Sequence, residues 1–317
     1  MKSLRIDPTR TALLRKKFVS RMTALLQSLK RDIYQLVVEE DAFGLKRSKL
    51  LLSINQRWKF NTDDQKVEEF NQWLKTWVGS RMGQNNSWWH EYIIQGYSKG
   101  AGRAYADWKK SKWNARNQGS KEEFMQTSFS QPIQTNKLKL LVGRTFNDLK
   151  GITDAMSTQV TRQLADGLVT GMGPREIASK MGERVQAIGI ARANALARTE
   201  IIRAHAEGQL DTFEQLGVTH LGVAVEWSTT GDERVCPKCK PLGGMVLKIK
   251  EAKGMLPRHP NCRCAWIPAN VGETNQGKIN TKSRILKAIR SSLAKDRKKT
   301  WIGTDLNPDK QRPENVL

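Results

Sequence analysis

All four cysteines of this chain fall between Cys236 and Cys264, and their spacing constrains the fold more than any other feature. Two residues separate Cys236 from Cys239, two separate His259 from Cys262, and Cys264 stands two positions further on. A two-residue gap in a tight turn lets both side chains face one ion, and zinc takes four such soft or borderline ligands in a tetrahedron. Five candidates, Cys236, Cys239, His259, Cys262 and Cys264, compete for four places, because Cys264 can stand in for Cys262 or His259. Pro237 and Pro260 stiffen the two turns, and Gly243-Gly244 lets the chain fold back between them. Residues 1–10 are basic but no long apolar run follows, so no secretory signal is expected. In the reducing compartment this implies, clustered cysteines read as metal ligands before disulfides. The spacing therefore predicts a structural zinc, with a core of free thiols and a set of disulfides as the alternatives. A closed four-ligand site leaves no open position for water, so catalytic zinc is not expected.

The surroundings of the cluster have a recognisable order. Arg198-Thr199-Glu200-Ile201-Ile202-Arg203 lies on an expected helix that runs to about Leu216 and stops at Gly217. Val223, Val225 and Trp227 alternate with smaller or polar residues, which predicts a strand. Asp232-Glu233-Arg234-Val235 then leads into the first cysteine pair, and the apolar run Met245 to Ile249 separates it from His259-Pro260-Asn261-Cys262-Arg263-Cys264.

Taken together, Ala197-Arg198-Thr199-Glu200, the apolar helix, Trp227, Asp232 to Cys239, Leu242-Gly243-Gly244 and His259 to Cys264 resemble the phage Mu F-like head morphogenesis domain. The resemblance covers about residues 146–268, less than half of the chain. It implies a minor head protein of a tailed phage, encoded beside the portal and associated with it during procapsid assembly, together with other head or scaffold proteins. Some proteins of this kind are linked to the fate of packaged DNA. The resemblance also implies structural roles for Arg198, Thr199, Glu200 and Asp232, with Arg198 and Glu200 tying the helix to the zinc knuckle. It implies a location in the phage head interior, and in the bacterial host cytoplasm during assembly.

Charge points the same way independently. Lys and Arg number 54 against 31 Asp and Glu, for a net charge of +23. Solubility alone rarely needs so lopsided a balance, and a chain this basic is attracted to polyanions such as nucleic acid; the expected partner is double-stranded DNA, bound without sequence preference. The C-terminal run Lys295, Arg297, Lys298 and Lys299 is the candidate DNA contact. No apolar run approaches the ~18–20 residues needed to span a membrane.

Along the chain, Asp7-Pro8 starts a long helix whose apolar face is Leu14, Phe18, Met22, Leu25, Leu29, Ile33 and Leu36, ending before Gly44. Thr62 and Gln65 form an expected capping box for a second helix that Gly79 ends. Ile94, Tyr97, Ala101, Ala104 and Trp108 mark the seam of a third. Seven of the ten tryptophans lie between Trp58 and Trp113, and their helical spacing favours core over a stacking platform for single strands. Residues 117–140 are polar and read as a loop or linker. Helices are expected from Leu149 to Leu168, from Pro174, and from Ile188 to Leu216, where Glu200 can pair with Arg203 and Arg203 with Glu207. Beyond Pro268 the chain is a basic tail, with a short amphipathic helix around Ile285 to Leu293.

The fold class expected is α+β: a mostly helical N-terminal region, then a helical and small-β domain tied by a zinc knuckle. The expected segments are 1–116, the 117–140 linker, a 141–268 head-morphogenesis domain and a 269–317 tail. The function expected is non-enzymatic. The rivals are a zinc-stabilised DNA-binding protein and a nuclease drawing on Glu200, His205, His220 and Asp232, although no histidine pair or acidic cluster has the spacing of a catalytic metal site.

Overall fold

Apolar residues recurring at three and four positions drive most of this chain into helix. The computed structural model describes residues 8–45, 63–82, 88–110, 120–217, 224–232 and 235–269. Among these, the helices are α1 (Ala12–Tyr34), α2 (Asp63–Met82), α3 (Trp89–Lys110), α4 (Lys121–Phe129), α5 (Pro132–Val169), α6 (Pro174–Gln215) and α7 (Ile249–Ala252). The strands are β1 (Ala224–Ser228), β2 (Val246–Leu247) and β3 (Ala265–Ala269). The architecture is the expected one, mostly helical with one small antiparallel sheet. The expected tail helix, the cations Lys295, Arg297, Lys298 and Lys299, and Thr62, Trp58, Trp113, His220, Val223, Glu233 and Arg234 lie outside the described residues.

The chain divides into two compact units. One takes the described residues of Met1–Arg15, Glu91–Val142 and Ala197–Leu317, the other those of Lys16–His90 and Gly143–Leu196. Neither follows the expected boundaries at 116 and 140. Where a loop or linker is expected, α4 and the start of α5 form instead. The polar composition hides two helix starts. Ser120 caps α4 by accepting from Glu123 N at 3.1 Å, while the Glu123 carboxylate accepts from Ser120 N at 2.8 Å. Pro132 opens α5 at its first position, where a proline costs no hydrogen bond.

In the second of these units, Phe18, Met22, Leu26, Leu29 and Ile33 are fully buried along α1. Leu26 continues the face, whereas the expected Leu25 is only half-buried. A π-helical turn, Gln35–Glu39, extends α1 and buries Leu36, Val37 and Val38. α2 runs past Gly79 to Met82, because the last turn is anchored: Arg81 lies 4.7 Å over the Trp77 ring and 3.2 Å from Asp32, which also accepts from the Trp77 indole N–H at 2.7 Å. Trp77 and Trp89 are buried, as core residues rather than a stacking surface.

In the first unit, α3 crosses α6 with their backbones in contact. A β-carbon on Gly100 would lie 2.7 Å from the carbonyl carbon of His205, and one on Gly208 would lie 3.0 Å from that of Tyr97. The seam of α3 runs through Ile93, Tyr97, Ala101, Ala104 and Trp108, with Ile93 buried in place of the expected Ile94, which is exposed. Gly100→Ala should force the helices apart and cost about 3 kcal/mol. Gly143→Ala, in a helix but with nothing within 4 Å, should be neutral or stabilising by up to ~1 kcal/mol. Urea midpoints of the two variants compare them directly, and equal losses would refute the close crossing.

β1 is the central strand, paired antiparallel with β2 and β3. Trp227 and Trp266 face each other across β1 and β3, edge to face with centroids 5.2 Å apart. Tyr105 and Trp108 of α3, Leu210 and Phe213 of α6, both sheet tryptophans and all four cysteines share one hydrophobic core.

Candidate metal centre

The first cysteine pair follows from a tight turn. Cys239 N and Lys240 N both donate to the Cys236 carbonyl, at 3.0 and 2.9 Å, which curls the chain so that both sulfurs point the same way. Gly244, at φ +78°, reverses the chain after this turn, and its N–H donates to the Trp227 carbonyl at 2.9 Å. The second turn has Cys262 N donating to the His259 carbonyl at 3.2 Å, with Asn261 at φ +62°, a conformation asparagine tolerates well.

These turns bring all five candidates together. Cys236, Cys239 and His259 form one group and Cys239, Cys262 and Cys264 another, each with its donor atoms within 4.8 Å of one another. Cys239 belongs to both. His259 Nε2 lies 2.9 Å from Cys236 Sγ and 3.2 Å from Cys239 Sγ, and the Cys239 and Cys262 sulfurs are 3.9 Å apart. The donor set fits a tetrahedral ion: bonds of ~2.3 Å to sulfur place sulfurs roughly 3.8 Å apart. His259 is also oriented for the task. Its Nδ1 lies 2.6 Å from the Pro260 carbonyl, which can only accept, so Nδ1 carries the proton and Nε2 faces the sulfurs.

The electrostatics are those of a coupled thiol cluster. A hydrogen bond from Cys239, with help from His259 against burial, draws the Cys236 thiol down to about 5. Hydrogen bonds from Cys239 and Cys264 likewise hold Cys262 far below the thiol range. Cys239 is pushed far up by the hydrogen bonds it shares with Cys236 and Cys262. Cys239 alone would lower Cys264, but Cys262 and burial raise it. Burial alone would lower His259, yet Cys236 and Cys262 raise it to about 10. These directions favour thiolates at Cys236 and Cys262 and a protonated His259. A divalent ion bound through Cys236, Cys239, His259 and Cys262 must expel the protons of Cys239 and His259, about two in all. Both groups have raised values, so affinity should climb from pH 6 to 8, approaching two log units per pH unit. Competition against a chromophoric chelator measures this, and a flat profile would rule out that ligand set.

A shell of polar ties holds the centre. Asp232 receives both ends of the Arg263 guanidinium, at 2.6 and 2.7 Å, so the segment before the first turn is clamped to the residue between Cys262 and Cys264. Gln209 on α6 reads the backbone of Trp266 twice, donating to its carbonyl at 2.7 Å and accepting from its N–H at 3.2 Å. Glu207 accepts from Gly254 N at 3.0 Å. The expected Glu200–Arg203 pair is present at 3.4 Å, with Glu200 buried. Glu207, expected to pair with Arg203, instead pairs with Lys137 at 2.6 Å. Lys137 also reaches Asp211 at 2.7 Å, and Asp211 accepts from the Tyr97 hydroxyl at 2.7 Å. Lys137, Glu207, Gln209 and Asp211 were not legible as site residues, although two acids four residues apart on one buried helix face call for a cation. Arg198 and Thr199 lie half-buried on α6.

Among the described residues no helix is long and apolar enough to cross a membrane. No curated protein and no solved structure matches the chain. The family described as Phage Mu protein F like protein matches residues 158–267, the span that holds the end of α5, nearly all of the sheet and every cysteine and histidine of the centre. Residues 158–267 are therefore similar to the phage Mu protein F-like domain, of the phage head morphogenesis family.

Proposed function

We propose that this chain is a minor head protein of a tailed phage that acts in procapsid and head morphogenesis at the portal, without catalysis. The family match over residues 158–267 carries the reading. Its partners are then the portal protein and other head or scaffold proteins, and its place is the head interior after assembly in the host cytoplasm. The ion is zinc, held by Cys236, Cys239, His259 and Cys262, since three thiols and an imidazole suit it and four protein donors close the site to water. Cys262 is preferred over Cys264 because its sulfur lies 3.9 Å from that of Cys239, close to the separation of two thiolates on one zinc. The net charge of +23 supports a further, sequence-independent contact with double-stranded DNA.

Co-expression with the portal protein of the same phage tests the assembly role. The two should co-purify after nuclease treatment and in high salt, and separation under those conditions would remove the portal from the reading. Incubation with plasmid and magnesium or manganese should leave the DNA intact; nicking that follows the protein through purification would put a nuclease in its place.

A further inference from the structure

A second basic feature lies within the described residues. Thr9, Arg10, Ser98, Lys99, Gly102, Arg103, Ala106, Lys121 and Met125 line an open cleft of about 470 Å³ between the segment before α1, the solvent face of α3 and the start of α4. Arg10, Lys99 and Lys121 are exposed, and none has a carboxylate partner among the described residues. Arg103 uses its Nε–H on Asp107 at 2.7 Å, and the rest of its fork can still donate. Gly102 leaves room for Lys121: a β-carbon there would lie 2.9 Å from Lys121 Cε. Arg10 is held at φ +50°, in a bend where Thr9 Oγ1 bonds Thr11 Oγ1 at 2.8 Å and Thr11 N at 3.3 Å. A bulky residue with positive φ persists only where its surroundings fix it.

We propose that this cleft grips backbone phosphates of double-stranded DNA. The inference rests on the DNA contact proposed above and places it on α3 and α4, away from the tail cations. Three cations with no carboxylate partner among the described residues surround one concavity and repel one another, and an anion relieves that repulsion. Lys99, Arg103 and Ala106 follow one face of α3 over about 10 Å of helix, the length of about three axial steps of a duplex strand at ~3.4 Å each. No side chain here offers the planar base-reading pairs of a sequence-specific site, apart from arginines that serve phosphate equally well.

The test uses the full chain and mixed-sequence duplexes, with binding followed by fluorescence anisotropy across about 50 to 300 mM salt. Arg10→Gln, Lys99→Gln and Lys121→Gln together change exposed side chains only, and circular dichroism verifies the fold. The slope of log K against log salt should fall by about 2–3, and affinity near 0.1 M salt should drop on the order of 10²-fold. A parallel variant, Lys295→Gln with Arg297→Gln, Lys298→Gln and Lys299→Gln, measures the tail. If the wild type binds DNA and the cleft variant keeps its slope and affinity, the cleft is overturned while the DNA contact stands. If the wild type shows no salt-dependent binding, the DNA contact itself falls and the cleft with it. If the cleft variant loses inorganic phosphate in titration calorimetry but keeps its DNA slope, the site serves a small anion and the proposal is overturned.

Discussion

Cys239→Ser should abolish metal binding and melt the sheet and turns that follow α6, the largest loss expected of any single substitution in this chain. Cys239 is the sulfur common to both ligand groups, it is 2% exposed, and it approaches His259 and Cys262 at once. Folding free energy supplied by a structural zinc is large, with apparent values of ~10–16 kcal/mol in small zinc domains. Here Trp227, Trp266, Leu242 and Leu256 supply a core of their own, so the net loss should be smaller, on the order of several kcal/mol. Cys264→Ser should be milder, about 1–2 kcal/mol, and should keep the ion, since only four places exist.

Metal analysis of freshly reduced protein should give one zinc per chain for the wild type and for Cys264→Ser, and none for Cys239→Ser or Cys262→Ser. A chelator should lower the melting temperature of the wild type and leave that of Cys239→Ser unchanged. Metal-free wild-type protein would sink the centre outright. Zinc retained by Cys262→Ser but lost by Cys264→Ser would exchange the two ligands and leave the centre standing.

The cluster was legible because its information is local. Two residues between ligands, a proline in each gap and glycines between the turns encode a geometry that no distant partner has to complete. The end of α5 and start of α6 were legible for the same reason, since Gly171 to Pro174 acts within one turn. Where the structure departs from the sequence pattern, the causes are physical. Leu25 and Leu26, or Ile93 and Ile94, are adjacent apolar residues, and a 3.6-residue period places either one near the buried stripe; only the neighbouring helix decides. Residues 117–140 look like linker by composition, yet Ser120, Glu123 and Pro132 are start signals whose reach is a single turn. α6 runs unbroken through Gly182 and Gly189 because side chains of Lys30 and Leu26 occupy the space a β-carbon would take. An interior glycine costs a helix only ~1 kcal/mol, which packing overrides.

The polar ties were beyond reach for a different reason. Arg203 sits four residues from Glu207 and is its natural partner on an isolated helix. Lys137 belongs to another helix, and nothing in the spacing along α6 singles it out. Asp232 and Arg263 were both visible beside the ligands, but their bidentate pairing depends on how the two turns face each other.

Lys137→Met should therefore be the second large loss, and it strikes at a distance from the cysteines. The Lys137 side chain is three-quarters buried, and its ammonium lies 2.6 Å from Glu207 and 2.7 Å from Asp211, whose side chains are each only 10% exposed. Burial alone would lower the lysine's pKa, but the two carboxylates raise it, so the charge persists throughout the physiological range. Tyr97 is raised by burial and by Asp211, and stays a neutral donor. The sign is then fixed: a raised lysine contributes below its unfolded value near 10.4 and loses that contribution only at strongly alkaline pH. Methionine matches the stem but strands two acids beside each other. Breaking a buried pair costs about 3–5 kcal/mol, and the partial exposure of Lys137 reduces this to about 2–4 kcal/mol. Because Glu207 also holds Gly254, part of the loss should appear as weaker zinc retention under chelator. The triple variant Lys137→Met, Glu207→Gln, Asp211→Asn should recover part of the stability, because no unpaired charge remains. Urea unfolding of the two variants separates charge from packing: a triple variant less stable than Lys137→Met, or a loss below about 0.5 kcal/mol for Lys137→Met, would show that the network carries no such weight.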